Sequence, residues 1–343
     1  VPAEAVLAAI KKLAHGGTLS AEEAAGAFGD VMRGEATPAQ VAALLTALRV
    51  KGEHADEVAG AARALREAMV RLPATAPDTL VDTCGTGGGT VTTFNISTAA
   101  AFVAAGAGAR IAKHGNRSFT SRSGSADVLE ALGVRIDVTA DVMAAALEQA
   151  GIVFMFAPLM HPAMRHVGPV RRELAIPTVM NIVGPLANPA GAGRQVVGVA
   201  DAARIPLIAG ALQALGTVHA LVVHGEPGLD EVSPLGPTKV VEVVKGRRKN
   251  WTIDPTAFGF GGVRLEDLAG GEPADNAAII EEILGGGGPR GARAAVVLNA
   301  AAALYVGGQA RDFAQGVALA TRAIDDGSGK AALERLRKST TAA

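Results

Sequence analysis

Asp82-Thr-Cys-Gly-Thr-Gly-Gly-Gly89, followed closely by Asn95-Ile-Ser-Thr98 and Lys113-His-Gly-Asn-Arg117, decides the fold. Leu80-Val81 ends a candidate strand, and the glycines after it allow a tight turn that exposes backbone N–H groups. Asn95 with Ser97 or Thr98 opens an Ala-rich helical run, Ala99 to Ala107, and suits a helix N-terminus, where free N–H groups and the dipole attract phosphate. A second strand, Ala109 to Ala112, delivers Lys113 at its end. In open α/β sheets ligands bind outside the carboxyl ends of the strands. Two anion-friendly strand ends joined by one helix therefore point to a polyphosphorylated small molecule. Taken singly, Gly85, Gly87 and Gly88 equally suit a plain strand–helix connection, and Asn95-Ile-Ser-Thr98 a plain cap. No Gly-Lys-Ser/Thr closes a Walker-type loop and the spacing is not G-x-G-x-x-G.

Outward from this stretch, β-branched runs at 79–82, 109–112, 152–156, 196–200 and 218–223 alternate with Ala- and Leu-rich helical runs. That alternation predicts an α/β fold with a mostly parallel sheet covered on both faces. Runs 239–244 and 249–253 flank Lys245-Gly-Arg-Arg-Lys249 and read as an antiparallel addition, the basic cluster being a solvated hairpin turn. The tail from Ala274 is helical, with glycines 285–288 between two helices. Residues 1–72 read as a small all-helical domain with helices near 3–14, 21–33, 38–51 and 54–70. Ser20 with Glu23 forms a capping box, Thr37-Pro38 pairs a cap with a first-turn proline, and Gly34 and Gly52 are stops. Pro73 and Pro77 mark the boundary to a larger domain over 73–343. Residues 162–190, interrupted by prolines 162, 169, 177, 185 and 189, read as irregular, crossing between the domains and lining the cleft; the part near 165–190 completes the helical domain.

The chain has 343 residues, 49% hydrophobic and 19% charged, so it can bury a large core, and its formal charge of -1 lacks the basic excess of a nucleic-acid or membrane-surface binder. Cys84 is the only cysteine, so no intrachain disulfide forms and a cytoplasmic protein is expected, with Cys84 a small apolar loop residue rather than a nucleophile. No apolar run reaches the ~18 residues of a membrane span, and no secretory signal is evident.

Gly85-Thr-Gly-Gly88, Asn95-Ile-Ser-Thr98, Lys113-His-Gly-Asn-Arg117, Ser121-Arg-Ser-Gly-Ser-Ala-Asp127, His161-Pro-Ala-Met-Arg165, Val170-Arg-Arg-Glu-Leu174, Asn181-Ile-Val-Gly-Pro-Leu-Ala-Asn-Pro189 and Leu229-Asp-Glu-Val-Ser233 stand in one order along the chain. With them the sequence closely resembles the anthranilate phosphoribosyltransferases over nearly its whole length. The resemblance implies transfer of phosphoribosyl from 5-phosphoribosyl 1-diphosphate (PRPP) to anthranilate, giving N-(5-phosphoribosyl)anthranilate and diphosphate in tryptophan biosynthesis. It implies a nucleoside phosphorylase/phosphoribosyltransferase-like fold and a homodimer through the helical domain. It further implies donor binding by Gly85, Gly88, Gly89, Thr93, Asn95, Ile96, Ser97, Thr98, Lys113, His114, Gly115, Asn116, Arg117, Ser118, Ser121 and Ser125. Anthranilate would meet Gly85, His114, Asn116, His161, Arg171 and Pro185, and Mg²⁺ would be held by Ser97, Asp230 and Glu231. By spacing alone Asp230-Glu231 reads as a solvated pair, and His114 and His161 as structural hydrogen bonders; no zinc site is expected.

The chemistry agrees. Departure of diphosphate leaves an oxocarbenium-like carbon, so a metal and positioning, by Lys113, Asn116 and Arg171 among others, can carry the reaction. An aromatic amine is neutral at pH 7 and needs no strong general base, whereas its carboxylate suits a two-pronged guanidinium. The chain departs from the family pattern at Gly89-Thr-Val-Thr-Thr93, which lacks an Asp and two glycines, and at Leu174-Ala-Ile-Pro-Thr178, which stands for Leu-Gly-Ile-Arg-Thr. Two rivals remain at this point. A pyrimidine nucleoside phosphorylase would need neither Asp230-Glu231 nor Arg171, and a non-catalytic phosphoribose or nucleic-acid binder would show a basic groove.

Overall fold

The computed structural model describes residues 3–87, 89, 91–118 and 122–341. Helices α1 (Glu4–Ala14), α2 (Ala21–Met32), α3 (Pro38–Lys51) and α4 (Ala55–Glu67) come first. Their starts are local chemistry. The Ser20 hydroxyl accepts the Glu23 N–H at 3.2 Å while Glu23 accepts the Ser20 N–H at 2.7 Å. Thr37 and Gln40 repeat the exchange at 3.3 and 2.8 Å, with Pro38 in the first turn. Each such cap is worth ~1 kcal/mol.

The larger unit begins with β1 (Leu80–Gly85), α5 (Ile96–Gly106), β2 (Arg110–Gly115), α6 (Ser125–Ala131), α7 (Ala140–Ala150) and β3 (Ile152–Phe156). Short helices α8 (Ala157–Met160), α9 (Gly168–Leu174) and α10 (Met180–Val183) lead to β4 (Arg194–Gly198), α11 (Ile205–Ala214) and β5 (His219–Gly225). The hairpin β6 (Thr238–Val244) and β7 (Arg247–Ile253) and helices α12 (Pro273–Leu284), α13 (Arg290–Gly307), α14 (Phe313–Asp325) and α15 (Ser328–Thr341) complete it. The strand order is β3-β2-β1-β4-β5-β6-β7. The first four pairings are parallel and the last two antiparallel. The hairpin turns through Lys245 and Gly246, both at positive φ, 50° and 71°.

Strand alternation feeds two cores. Val196, Leu221 and Val223 face the core shared with α5 and α13, whereas Val197, Ala220 and Val222 face the core shared with the first four helices. Residues 162–190 are not irregular as expected: they form helical turns, each cut short near a proline, because proline permits a first turn but not a continuing helix. Val167, Val170, Val179 and Ile182 from this stretch enter the N-terminal core. β1 and β2 also run three residues beyond the expected 79–82 and 109–112, since pairing continues into Gly85 and Gly115 opposite Gly198 and Phe156. Cys84 thus sits in a strand rather than a loop.

Candidate active site

β1 lies between β2 and β4, so the chain leaves it in opposite directions and a crevice opens where the ends of β1 and β4 meet. The loop after β5 hangs over that crevice. A Cβ on Gly198 would overlap the Asp230 carbonyl, and one on Gly85 would stand 2.5 Å from Asp230 Oδ2, so only glycine at the paired strand ends lets the acidic loop settle there. Gly87, at φ +66°, donates its N–H to Asp230 Oδ2 at 3.1 Å. Ser97, in the first turn of α5, donates its N–H to Glu231 Oε1 at 3.2 Å, setting the carboxylate at the positive end of the helix. Both acids are partly exposed at the mouth. Burial, then the Asp230 charge, pushes the Glu231 carboxyl up to about 8, and burial raises Asp230 too. Two carboxylates crowded together repel one another, and a bound cation would relieve that repulsion.

Lys113 crosses beneath them. Its Nζ donates to the Thr83 carbonyl and lies 3.2 Å from Ser97 Oγ, joining the ends of β1 and β2 to the start of α5. Burial lowers its pKa, opposed by the charges of Asp82 and Glu231. Asp82, fully buried, accepts the His114 N–H at 3.1 Å and the Asn188 amide at 2.7 Å, while Asn188 also donates to the Ala112 carbonyl at 2.8 Å. Burial raises Asp82 to about 6 against the pull of that amide. This buried junction ties the segment 181–189 to the two strand ends. Neither Asp82 nor the role of Asn188 was legible beforehand, because the partners stand 106 residues apart.

The segments flanking the crevice are held by side chains rather than left open. Asn95 precedes α5 without capping it; its amide donates to the Ser123 carbonyl at 3.1 Å and accepts from Asn276 of α12 at 2.9 Å. Ile96 is a core residue, and the Ile96 and Thr98 N–H groups go to Phe94 and Asn95 carbonyls, so the expected donors of this turn are engaged within the protein. The Thr98 hydroxyl is buried without a partner. Asn116 accepts the Arg117 N–H at 2.8 Å, and its carbonyl accepts from the Ser125 hydroxyl at 3.3 Å, close under Gly115. The Arg117 guanidinium is committed to Asp127 at 2.8 Å and Glu130 at 2.5 Å and lies 5.5 Å above the Phe156 ring. Asp127 also collects the Ser118 and Gly124 N–H groups at 3.2 and 2.8 Å. Thr93 is half-buried and Gly89 exposed, with space for a Cβ beside Ala200 and the Gly228 carbonyl. Gly88 and Ser121 lie outside the described residues.

On the other side of β2, His114 and His161 meet Nε2 to Nε2 at 3.1 Å, rings edge-on. One donates and the other accepts; burial first, then in His114 the proximity of His161 and Lys113, lowers them to about 3 and about 4, which leaves both neutral near pH 7. Pro185 lies in a short turn whose carbonyl accepts the Gln195 amide at 2.9 Å and faces the Cys84 sulfur at 3.9 Å. Burial pushes the Cys84 thiol well up, which suits an inert residue. Arg171 lies on α9, in the segment that joins the helical core; it is half-buried, and among the described residues no carboxylate pairs with it. A half-desolvated guanidinium without a counter-ion is prepared for an anion.

Among the described residues no three or more His, Cys, Asp or Glu side chains form a metal cluster, and no helix is long and apolar enough to cross a membrane. Two carboxylates and a hydroxyl fit a hard cation that keeps water and takes further oxygens from substrate phosphates.

Residues 7–69 match the helical bundle domain of a glycosyl transferase family and residues 77–331 its a/b domain. The chain is 51% identical over 327 residues to an anthranilate phosphoribosyltransferase of Rubrobacter xylanophilus, covering 95% of each. The crystal structure of the Thermus thermophilus anthranilate phosphoribosyltransferase superposes with a TM-score of 0.91 at 43% identity, over 97% of this chain and 99% of that one. The Saccharomyces cerevisiae enzyme in complex with PRPP and Mg gives 0.88 at 30% identity over 98% of each. With sheet, crevice and acidic loop all in place, the chain belongs to the anthranilate phosphoribosyltransferases, which transfer phosphoribosyl from PRPP to anthranilate in tryptophan biosynthesis.

Proposed function

We propose that the β1/β4 crevice binds PRPP as its Mg²⁺ complex, with Asp230, Glu231 and the Ser97 hydroxyl holding the metal. Bound there, Mg²⁺ would neutralise charge building on the departing diphosphate. The observation that carries this reading is the acidic loop seated on Gly198 and Gly85, with the Glu231 carboxylate at the start of α5. Lys113, fixed on the Thr83 carbonyl and Ser97, supplies positive potential beneath the diphosphate. Residues 85–87, 89, 93–98, 113–118 and 122–125 line the donor, and Gly88 and Ser121, outside the described residues, belong to the same donor-binding set. The Ser97 N–H, now on Glu231, becomes available to a phosphate oxygen when that carboxylate turns to a cation. Arg117 shapes its loop through Asp127 and offers the donor its backbone rather than its charge.

The acceptor enters past His114, His161, Asn116 and Pro185, with the Arg171 guanidinium taking its carboxylate. Neutral imidazoles at 114 and 161 offer hydrogen-bonding atoms without adding charge near the developing cation. Arg171 belongs to the segment packed in the helical core, so the seating of that unit on the sheet decides where its guanidinium meets the acceptor. The functional division is therefore a helical domain over 1–72, completed near 165–190, hinged against 73–343. The protein works as a cytoplasmic homodimer through the helical domain; Leu7 on α1 and Val50 on α3, 37% and 82% exposed, support an interface there. Neither acid pair nor Arg171 is needed by a phosphorylase. The test is direct: anthranilate fluorescence falls when enzyme, PRPP and Mg²⁺ are combined, and unchanged fluorescence under those conditions refutes the assignment.

A further inference from the structure

α13 runs behind β1 and β4, and Asn299 sits in its middle, 3% exposed. Its amide oxygen accepts the Val232 N–H at 2.9 Å, and its amide nitrogen donates to the Val232 carbonyl at 2.9 Å and to the Ala295 carbonyl at 2.9 Å. The acceptor and both donors are used, and the two bonds to Val232 reproduce what a neighbouring strand would make. Val232 directly follows Asp230-Glu231. On the far side of it, the Ser233 N–H donates to Thr238 Oγ1 at 2.9 Å and the Ser233 hydroxyl donates to the Glu226 carbonyl. Asn299 also lines, with Glu231, Ser97, Thr83, Cys84 and Gly198, a cavity of about 10 Å³ under the acids, near the minimum for one water. No other side chain is hydrogen-bonded to the Val232 backbone among the described residues.

We infer that Asn299 is a positioning residue for the transfer: by clamping Val232 from α13 it fixes the backbone on which both carboxylates project into the crevice, and so sets affinity for the metal–donor complex without touching it. The inference rests on the reading of Asp230 and Glu231 as metal ligands. The amide is needed for its polarity as well as its shape. Aspartate at 299 would keep an acceptor for the Val232 N–H but set an oxygen against two carbonyls, and alanine would leave both Val232 groups unpaired in a buried place.

The experiment compares the wild type, Asn299→Asp, Asn299→Ser and the pair Asp230→Asn with Glu231→Gln. Three things are read: binding of Mn²⁺ in the presence of PRPP by electron paramagnetic resonance, KM for each substrate, and amide hydrogen exchange at Val232. Outer-shell residues of this kind typically shift metal affinity ~10–100-fold, so both Asn299 variants are expected to weaken Mn²⁺ and raise KM for PRPP in that range while KM for anthranilate stays within about twofold. In the wild type the Val232 amide is expected to exchange as slowly as the core amides of α13. Folded Asn299 variants that bind Mn²⁺ normally and lose activity only in proportion to unfolded protein would overturn the inference. So would a fast-exchanging Val232 amide in the wild type, a result available even if neither variant folds. If the acid-pair variant itself binds Mn²⁺ with PRPP normally, the metal reading fails; if it loses Mn²⁺ while the Asn299 variants keep it, only the positioning role fails.

Discussion

Gly198→Ala puts a single methyl group where the acidic loop meets the sheet. The new Cβ would coincide with the Asp230 carbonyl and come within 3.2 Å of its Cα, whereas ordinary carbon contacts need roughly 3.5–4 Å. Strand β4 cannot give way, because Gly198 pairs with both Gly85 and Val223 and a shift would break the register on two sides. The loop must therefore rise by roughly an ångström or more, at an overpacking cost of about 1–3 kcal/mol. Displacing the two carboxylates by that amount is expected to lower kcat/KM for PRPP ~100-fold, since positioning errors near 1 Å carry penalties of that order. The assay is the fall of anthranilate fluorescence across PRPP and Mg²⁺ concentrations, with circular dichroism to show that the fold persists. Gly261→Ala, where the nearest atom is 3.8 Å away, serves as the neutral control. Wild-type kcat/KM in folded Gly198→Ala would refute the claim that the seat of the acidic loop matters.

Arg171→Ala is expected to raise KM for anthranilate about 10–100-fold, the worth of a charged hydrogen bond of roughly 1.5–3 kcal/mol, with KM for PRPP nearly unchanged; equal weakening of both would mark a structural arginine. Ala175 ends α9 in the left-handed region at φ 51°, so Ala175→Gly is expected to stabilise the protein by ~0.5–1 kcal/mol after the glycine's own entropy cost, read as a raised melting temperature; a lower one would contradict this. His114 and His161 titrate near 3 and 4 when folded but near 6.5 when unfolded, so the unfolded chain binds more protons as pH falls below 6.5. Stability is expected to drop between pH 6.5 and about 4 by up to ~1.4 kcal/mol per pH unit for each ring, and His161→Phe to flatten the denaturation profile; an unchanged slope would show that His161 does not contribute to it.

Caps and alternation were readable because they are local. Ser20 meets Glu23, Thr37 meets Gln40, and strands buried on both faces need β-branched runs, so both units and the parallel sheet could be placed from the sequence. Asn95 reads as a cap for the same local reason, yet its amide is drawn to Ser123 and to Asn276, 28 and 181 residues away, and no spacing announces such partners. Asp82 with Asn188, and Asn299 with Val232, are invisible for the same reason. Arg117 is different: Asp127 and Glu130, three residues apart, share one face of the next helix, and that spacing signals partners for its charge. Spacing alone leaves Asp230-Glu231 a solvated pair and the family resemblance makes it a metal site; what neither shows is that Gly85 and Gly198 leave the room that seats it over the strand ends.

In the proposed mechanism the two acids over the β1/β4 crevice hold the metal of the donor complex. Calorimetric titration of PRPP in Mg²⁺ and in chelator, into the wild type and into Asp230→Asn with Glu231→Gln, tests it most directly. Amides are poor ligands for a hard cation, so the wild type is expected to bind PRPP tightly only with Mg²⁺, and the folded variant to lose that Mg²⁺-dependent gain. Mg²⁺-dependent binding of wild-type strength in the variant would show that the metal is held elsewhere.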